Sequence, residues 1–343
     1  MRPRLKLFSY ALEDCHLEPG FEHHAVPVLS QPDPRWFEAV TRPAAADFIV
    51  LPVLLNEVGA SHVAQGDYLY SYLPRLAHFR EFEAKHVFFL PGVDTWAPLF
   101  TRAAIFRTSI HRKFPDLNAV AMPYYTEQMT EQLGYEDLFY HTVFAGFPGS
   151  WPGREELVRA LSQTQEINAS WHCSTRYHYH QTPEQQAEGV RAYRESFRRA
   201  ITVCCPRGAG LNSIRFFETL AAGRIPVLIS DDCVLPLEDL LDYSRFMLRL
   251  PEARLPEIGA FLSRWIVQTP PTQIAEMCAA ARRAWETQLC AARQPDLVLH
   301  SLRRIKASGY RLNAAQAPAV ESLRRASQAA TAARPLPVPP LGP

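Results

Sequence analysis

The sequence predicts an α/β protein made of two Rossmann-like domains with mainly parallel sheets. Three observations predict it. The chain has 343 residues, room for two domains at roughly 150 residues each. Apolar residues make up 47% and charged residues 21%, so each half can bury a core of its own. Short apolar runs alternate with helical or loop segments, and strands separated by helices form βαβ units and parallel sheets.

In order along the chain, Leu5–Leu12 reads as a strand and Asp47–Leu55 as a buried strand. Lys85–Leu90 reads as another, and Ala119–Met122 as a shorter one ending at Pro123. Between them Gln65–Glu83 carries a mixed polar and aromatic helical pattern. The pattern restarts near residue 140 with the strand candidate His141–Ala145, the turn Gly146–Gly153 and a helix from Arg154 to Gln163. Pro183–Arg199 is a second helix, its proline in the first turn, where a missing N–H costs nothing. Then come the strand Ala200–Cys205, the helix Asn212–Ala222 closed by Gly223, and the strand Ile225–Ile229. That strand–loop–helix–strand order is half of a doubly wound sheet. Pro270–Gln328, rich in Ala, Arg, Leu and Gln, reads as helical, and Ala332–Pro343 is a proline-dense tail with little to bury. The expected division is 1–140, 141–300, a helical extension 301–331 and a disordered tail 332–343.

The net charge of +1 gives no bulk electrostatic case for binding nucleic acid. No apolar run approaches the ~18 residues that span a bilayer. The basic start (Arg2, Arg4, Lys6) is followed by an apolar stretch that stops at Glu13–Asp14, too early for a secretory segment. A cytoplasmic placement is expected, with peripheral attachment at the inner membrane face as the alternative. Seven scattered cysteines, an odd number, suggest reduced and mostly buried thiols.

Chemistry concentrates in Pro206–Val227 (PRGAGLNSIRFFETLAAGRIPV). Gly208 and Gly210 let the loop turn tightly and approach a ligand. Asn212 or Ser213 can cap the following helix, whose N-terminus favours an anion such as a diphosphate. Arg207 and Arg215 add guanidinium forks suited to phosphate oxygens. Helical spacing puts Leu211, Arg215, Glu218 and Ala222 on one stripe and the apolar Ile214, Phe217 and Ala221 on another. The second stripe can bury against a sheet, leaving Arg215 and Glu218 along the strand ends. The bland alternative is a capped helix with a surface Arg215–Glu218 pair worth little.

The run Cys205–Asp232 (CPRGAGLNSIRFFETLAAGRIPVLISDD) closely resembles the signature of exostosin-family glycosyltransferases, glycosyltransferase family 47. Val234–Asp239 and Asp242–Phe246 continue the likeness. Upstream it is looser, in Leu5–Tyr10, Ala46–Pro52, His86–Leu90 with Asp94, and His141–Gly146. Where many family members have Gly-Arg-Asp-His, this chain has Glu83-Ala-Lys-His86. The resemblance implies the GT-B arrangement: two facing α/β domains, a nucleotide-sugar donor in the second and the acceptor in the cleft. It implies that Arg207, Gly208, Gly210, Ser213, Arg215 and Glu218 line the donor site, the arginines and helix start on the diphosphate and Glu218 on the ribose. The implied activity is an inverting, metal-independent transfer of the sugar to a glycan, lipid-linked or other hydroxyl acceptor, with positive charge stabilising the departing group. The altered 83–86 segment leaves a non-catalytic glycan- or nucleotide-binding relative as the alternative.

No cofactor is expected, the nucleotide diphosphate-sugar being a substrate. Asp231–Asp232 could hold a metal but lie within the family pattern as a loop. His172, Cys173, His178 and His180 could bind zinc, but their spacing fits no standard closed set, and a polar, aromatic loop is the expectation. Inverting transfer needs a base for the acceptor hydroxyl. Asp94 is the first candidate, with Glu127 and His86 behind it, and the competing reading of Asp94 is a cap or turn residue.

Overall fold

Parallel strands covered on both faces must be apolar at consecutive positions, not alternate ones, and the central strands of the first sheet follow that rule. The computed structural model describes residues 3–16, 29, 31–55, 72–91, 99, 101–125, 138–174, 182–316 and 318. The first sheet contains β1 (Leu5–Ser9), β2 (Phe37–Ala39), β3 (Phe48–Leu54), β4 (His86–Leu90), β5 (Ala104–Arg107) and β6 (Asn118–Ala121), in the order β2-β1-β3-β4-β5-β6. Pairing is parallel from β2 through β5. Every residue of β4 and β5 is buried, and Phe89 stacks on Phe106 with centroids 4.7 Å apart. Pro52 offers no N–H to the ladder, and the β3–β4 register shifts between Val50 and Leu54, around it.

Three expectations need adjustment here. The first strand stops at Ser9, and Leu12–Cys15 make a 3-10 turn. Of the helix expected over Gln65–Glu83, residues up to 71 lie outside the described ones, and Phe79–Phe82 form a single turn, α1. The strands β2 and β5, three and four residues long, were not anticipated.

The second sheet contains β7 (Tyr140–Gly146), β8 (Ala169–Cys173), β9 (Ala200–Pro206), β10 (Ile225–Ile229) and β11 (Leu248–Arg249). Its order is β11-β10-β9-β7-β8, parallel throughout. The helices are α2 (Pro152–Ser162), α3 (Pro183–Arg198), α4 (Ile214–Ala221), α5 (Ile258–Gln268) and α6 (Pro271–Ala284). Thr182 and Gln185 close a capping box at the start of α3. At the end of α4, Gly223 takes φ +65°, its N–H reaches Leu220 O, and the Arg224 N–H reaches Thr219 O. This pair of bonds is the Schellman arrangement expected of a glycine at that position. Cys204 and Cys205 lie fully buried in β9.

The helical pattern after Pro270 is broken rather than continuous. A π turn at Trp285–Leu289 and a 3-10 turn at Ala291–Arg293 follow α6, and only then does α7 (Gln294–Ala307) begin. Residues 319–343 lie outside the described ones. From Val298 the chain belongs with the first sheet: the chain divides into Met1–Pro91, Ala97–Val120 and Val298–Pro343 on one side, and Gly92–Trp96 and Ala121–Leu297 on the other. The attachment is specific. Tyr310 lies on Phe48 and donates to Asp47 O. The Asn118 amide bonds Tyr310 O and receives the Leu312 N–H.

Candidate functional site

In an open parallel sheet, ligands bind outside the carboxyl ends of the strands, where successive connections diverge to opposite sides. From β7 the chain moves one way to β8; β9 then returns to the other side of β7, and β10 and β11 extend that way. The divergence therefore lies between β7 and β9. Leaving their carboxyl ends are the turn Gly146–Trp151 into α2 and the loop Arg207–Ser213 into α4. These are the segments in which the sequence concentrates glycines and arginines.

Arg215, in the first turn of α4, is laid against the end of β7. Its guanidinium carbon sits 5.5 Å over the Phe144 ring. Gly146 has φ +147°, and a Cβ there would fall 2.0 Å from Arg215 Nη2. Glycine at position 146 suits the backbone angle, and a side chain there would push the Arg215 guanidinium off the end of β7. Arg215 Nε is buried without a hydrogen-bond partner.

Ser213 holds the N-cap position of α4, but its side chain makes no cap bond. Its own N–H is taken by Asn212 Oδ1 at 2.9 Å. Ser213 is 4% exposed, and its Oγ has no partner. The expected role of Ser213 as a side-chain cap is thus corrected. A buried orphan hydroxyl costs about 1–3 kcal/mol, and the first bond along α4 runs from the Phe216 N–H to Ser213 O, so the N–H groups of Ile214 and Arg215 precede the helical ladder. Ser230 Oγ, just past the end of β10, is a second orphan.

Arg207 extends the β9–β10 ladder through its N–H to Ile229 O. Its guanidinium lies 4.8 Å over the Trp151 ring, and its Nε is 3.2 Å from Glu252 Oε1. That Nε makes no well-aligned hydrogen bond. Glu252 is held in place by reciprocal bonds with Asp231. Gly208 and Gly210 are not in the left-handed region, which among the described glycines holds only Gly146, Gly223 and Gly309. What Gly208 provides is room: a Cβ there would meet Arg154 Nη2 at 3.2 Å.

Glu218 is 3% exposed and accepts a hydrogen bond from the Tyr193 hydroxyl of α3. Burial pushes its pKa up, and the Tyr193 bond and the charge of Arg215 oppose that rise only in part. A surface Arg215–Glu218 pair is therefore not what forms. Nor is the second helical stripe wholly buried: Phe217 and Ala221 are, while Ile214 is 41% exposed.

The other candidates separate cleanly. Asp94, Glu127, His178 and His180 lie outside the described residues. His86 is fully buried, bonded to the Tyr10 hydroxyl and Phe82 O, and burial pulls its pKa down to about 4. It belongs to the core of the first sheet and is no base for an acceptor. His172 and Cys173 are exposed at the end of β8. Among the described residues no three His, Cys, Asp or Glu side chains gather as a metal site would require, and no helix is long and apolar enough to cross a membrane. A depression of about 450 Å³ after β10 carries Glu238, Asp239 and Asp242 against one arginine, Arg249. That balance is the wrong sign for a diphosphate.

Sequence reasoning missed Arg154, Tyr193, Gly146 and Glu252. Arg154 carried a signal: it is a cation in the first turn of a helix, where the dipole disfavours one. Tyr193 carried none, since its partner is 25 residues away.

The Exostosin GT47 domain matches residues 22–265. Exostosin-2 of Bos taurus is 33% identical over 94 residues, 27% of this chain and 12% of that protein. The probable beta-1,4-xylosyltransferase IRX10 of Arabidopsis thaliana is 37% identical over 71 residues, 21% of this chain and 17% of that protein. The matched stretch is thus a small fraction of each relative's length. Among solved structures, Anabaena Alr3699/HepE in complex with UDP-glucose is similar at a TM-score of 0.40 and 8% identity, over 77% of this chain and 79% of that one. With the domain match spanning most of its length and the signature standing at the strand ends of the second sheet, this chain belongs to the exostosin GT47 family.

Proposed function

We propose that the chain is a glycosyltransferase that uses a nucleoside diphosphate-sugar, with the donor's diphosphate at the start of α4. The observation that carries this reading is a pair of buried, unpartnered groups in the first turn of α4, Ser213 Oγ and Arg215 Nε. The phosphate oxygens of a diphosphate supply acceptors for such donors and lie in the partial positive charge of the helix start. Arg207 supplies a second guanidinium from the same loop by turning from Glu252. Fixed positive charge at this point stabilises the nucleoside diphosphate as it leaves, which is electrostatic catalysis without proton transfer. Glu218 is the group for the ribose hydroxyls, exchanging its Tyr193 bond for theirs. The Gly208 and Gly210 backbone borders the phosphates. Transfer goes with inversion and without a metal to a hydroxyl of a glycan, lipid-linked or other acceptor, and Asp94 is the proposed base. The protein works in the cytoplasm or at the inner membrane face.

Calorimetry with UDP and GDP tests the donor site. The wild type should bind one of them, and Arg215→Ala should weaken that affinity roughly 10- to 100-fold, the loss of a charge-assisted bond. Asp94→Asn should leave it unchanged while abolishing transfer. Wild-type protein that binds neither nucleotide removes the reading; binding with no turnover on any acceptor favours a non-catalytic relative.

A further inference from the structure

Arg154 is a buried arginine that the donor-site reading does not use. It lies in the first turn of α2 and is 6% exposed. Its Nη1 donates to Phe147 O at 3.1 Å, in the turn that leaves β7. Its Nη2 donates to Pro206 O at 3.3 Å and its Nε to Arg207 O at 2.9 Å, in the loop that leaves β9. One planar fork therefore ties together the two loops that diverge on either side of the switch point.

We propose that Arg154 is a positioning residue of the donor site: a clamp that sets the separation of the β7 and β9 loops, and through them the places of Arg207 and Arg215. The proposal rests on the nucleotide-sugar reading of that site. Each end of the clamp lies on or next to a residue that matters. Phe147 follows Gly146, against which Arg215 lies. Arg207, whose carbonyl receives Nε, presents its own side chain over Trp151, the N-cap residue of α2. Lysine cannot replace the fork, because three hydrogen bonds in two directions need the rigid guanidinium plane. Ordered loops matter because a phosphate site that must assemble on binding spends affinity on its own assembly. Gly208 is part of the same device: it leaves Nη2 the room it occupies, a Cβ falling 3.2 Å away.

The experiment measures UDP and GDP dissociation constants by calorimetry for wild type, Arg154→Lys and Gly208→Ala, at a temperature where circular dichroism shows all three folded. Arg154→Gly is measured with and without millimolar guanidinium chloride. Nucleotide affinity should fall at least tenfold in Arg154→Lys and several-fold in Gly208→Ala, and added guanidinium should restore part of it to Arg154→Gly. A purely architectural arginine lowers the unfolding midpoint but leaves the folded protein's affinity alone. Wild-type affinity in folded Arg154→Lys, or in Gly208→Ala should the first variant not fold, overturns the clamp. A wild type that binds neither nucleotide removes the donor reading, and the clamp's role with it.

Discussion

Glu218 shows how much a single side chain's setting decides. A carboxylate buried to 3% exposure, with its pKa pushed up first by desolvation, destabilises the fold when ionised. The sign follows from linkage. A folded-state pKa above the unfolded value means the group's contribution is fully present below the unfolded pKa, about 4.3, and is lost as pH rises through the folded pKa. Glu218→Gln should therefore raise the thermal midpoint relative to wild type near pH 8, and the gain should shrink as pH falls toward 4. Melts across that range check it. On the proposed ribose role of Glu218, the same substitution should weaken binding of whichever of UDP and GDP the wild type takes about tenfold. The identity of Glu218 as a site candidate was legible from the family pattern, but its burial and its tyrosine were not, because Tyr193 reaches it from another helix.

At the scale of the element, α4 joins two kinds of information. Its end was legible to the residue: Gly223 is glycine because the chain needs φ +65° there. Its apolar stripes were half legible, since Phe217 and Ala221 are buried as spacing requires while Ile214 is exposed. Helical periodicity reports which positions share a face, but the end of a helix over a strand edge is open whatever its pattern. The start was misread in an informative way. A serine before a helix is by default a cap, and losing a cap costs about 1 kcal/mol. Here Ser213 Oγ makes no cap bond and is buried without a partner, so Ser213→Ala should raise stability by about 1 kcal/mol or more in urea titration while lowering the affinity for whichever of UDP and GDP the wild type binds a few-fold. The strands show the same division. Phe48–Leu54 and His86–Leu90 announce themselves as unbroken apolar runs, whereas Phe37–Ala39 and Leu248–Arg249 are too short to carry a period.

For the whole molecule, the least legible feature was where the last helix belongs. Composition made the stretch after Pro270 helical, but nothing in it announced that Tyr310, Leu312 and Asn313 would bond Asp47, Asn118 and Asp116. Those bonds are long-range, and local patterning has no access to them. Ending the chain at Ala307 removes them, and leaves the buried Asn118 amide short of partners at a cost of about 1–3 kcal/mol. Amide exchange in β3 and β6 should then accelerate roughly tenfold or more, while β9 and β10 keep their protection. Equal acceleration in both sheets would show that the attachment serves the molecule as a whole.

That attachment also bears on how the polypeptide is made. Residues 121–297 are contiguous, whereas the unit that holds the first sheet joins residues before 121 to residues from Val298 onward. During synthesis from the ribosome, the half that emerges later has all its own residues before the half that emerges first. The amino-terminal strands must wait, incompletely covered, until Tyr310, Leu312 and Asn313 have left the exit tunnel and can bond them.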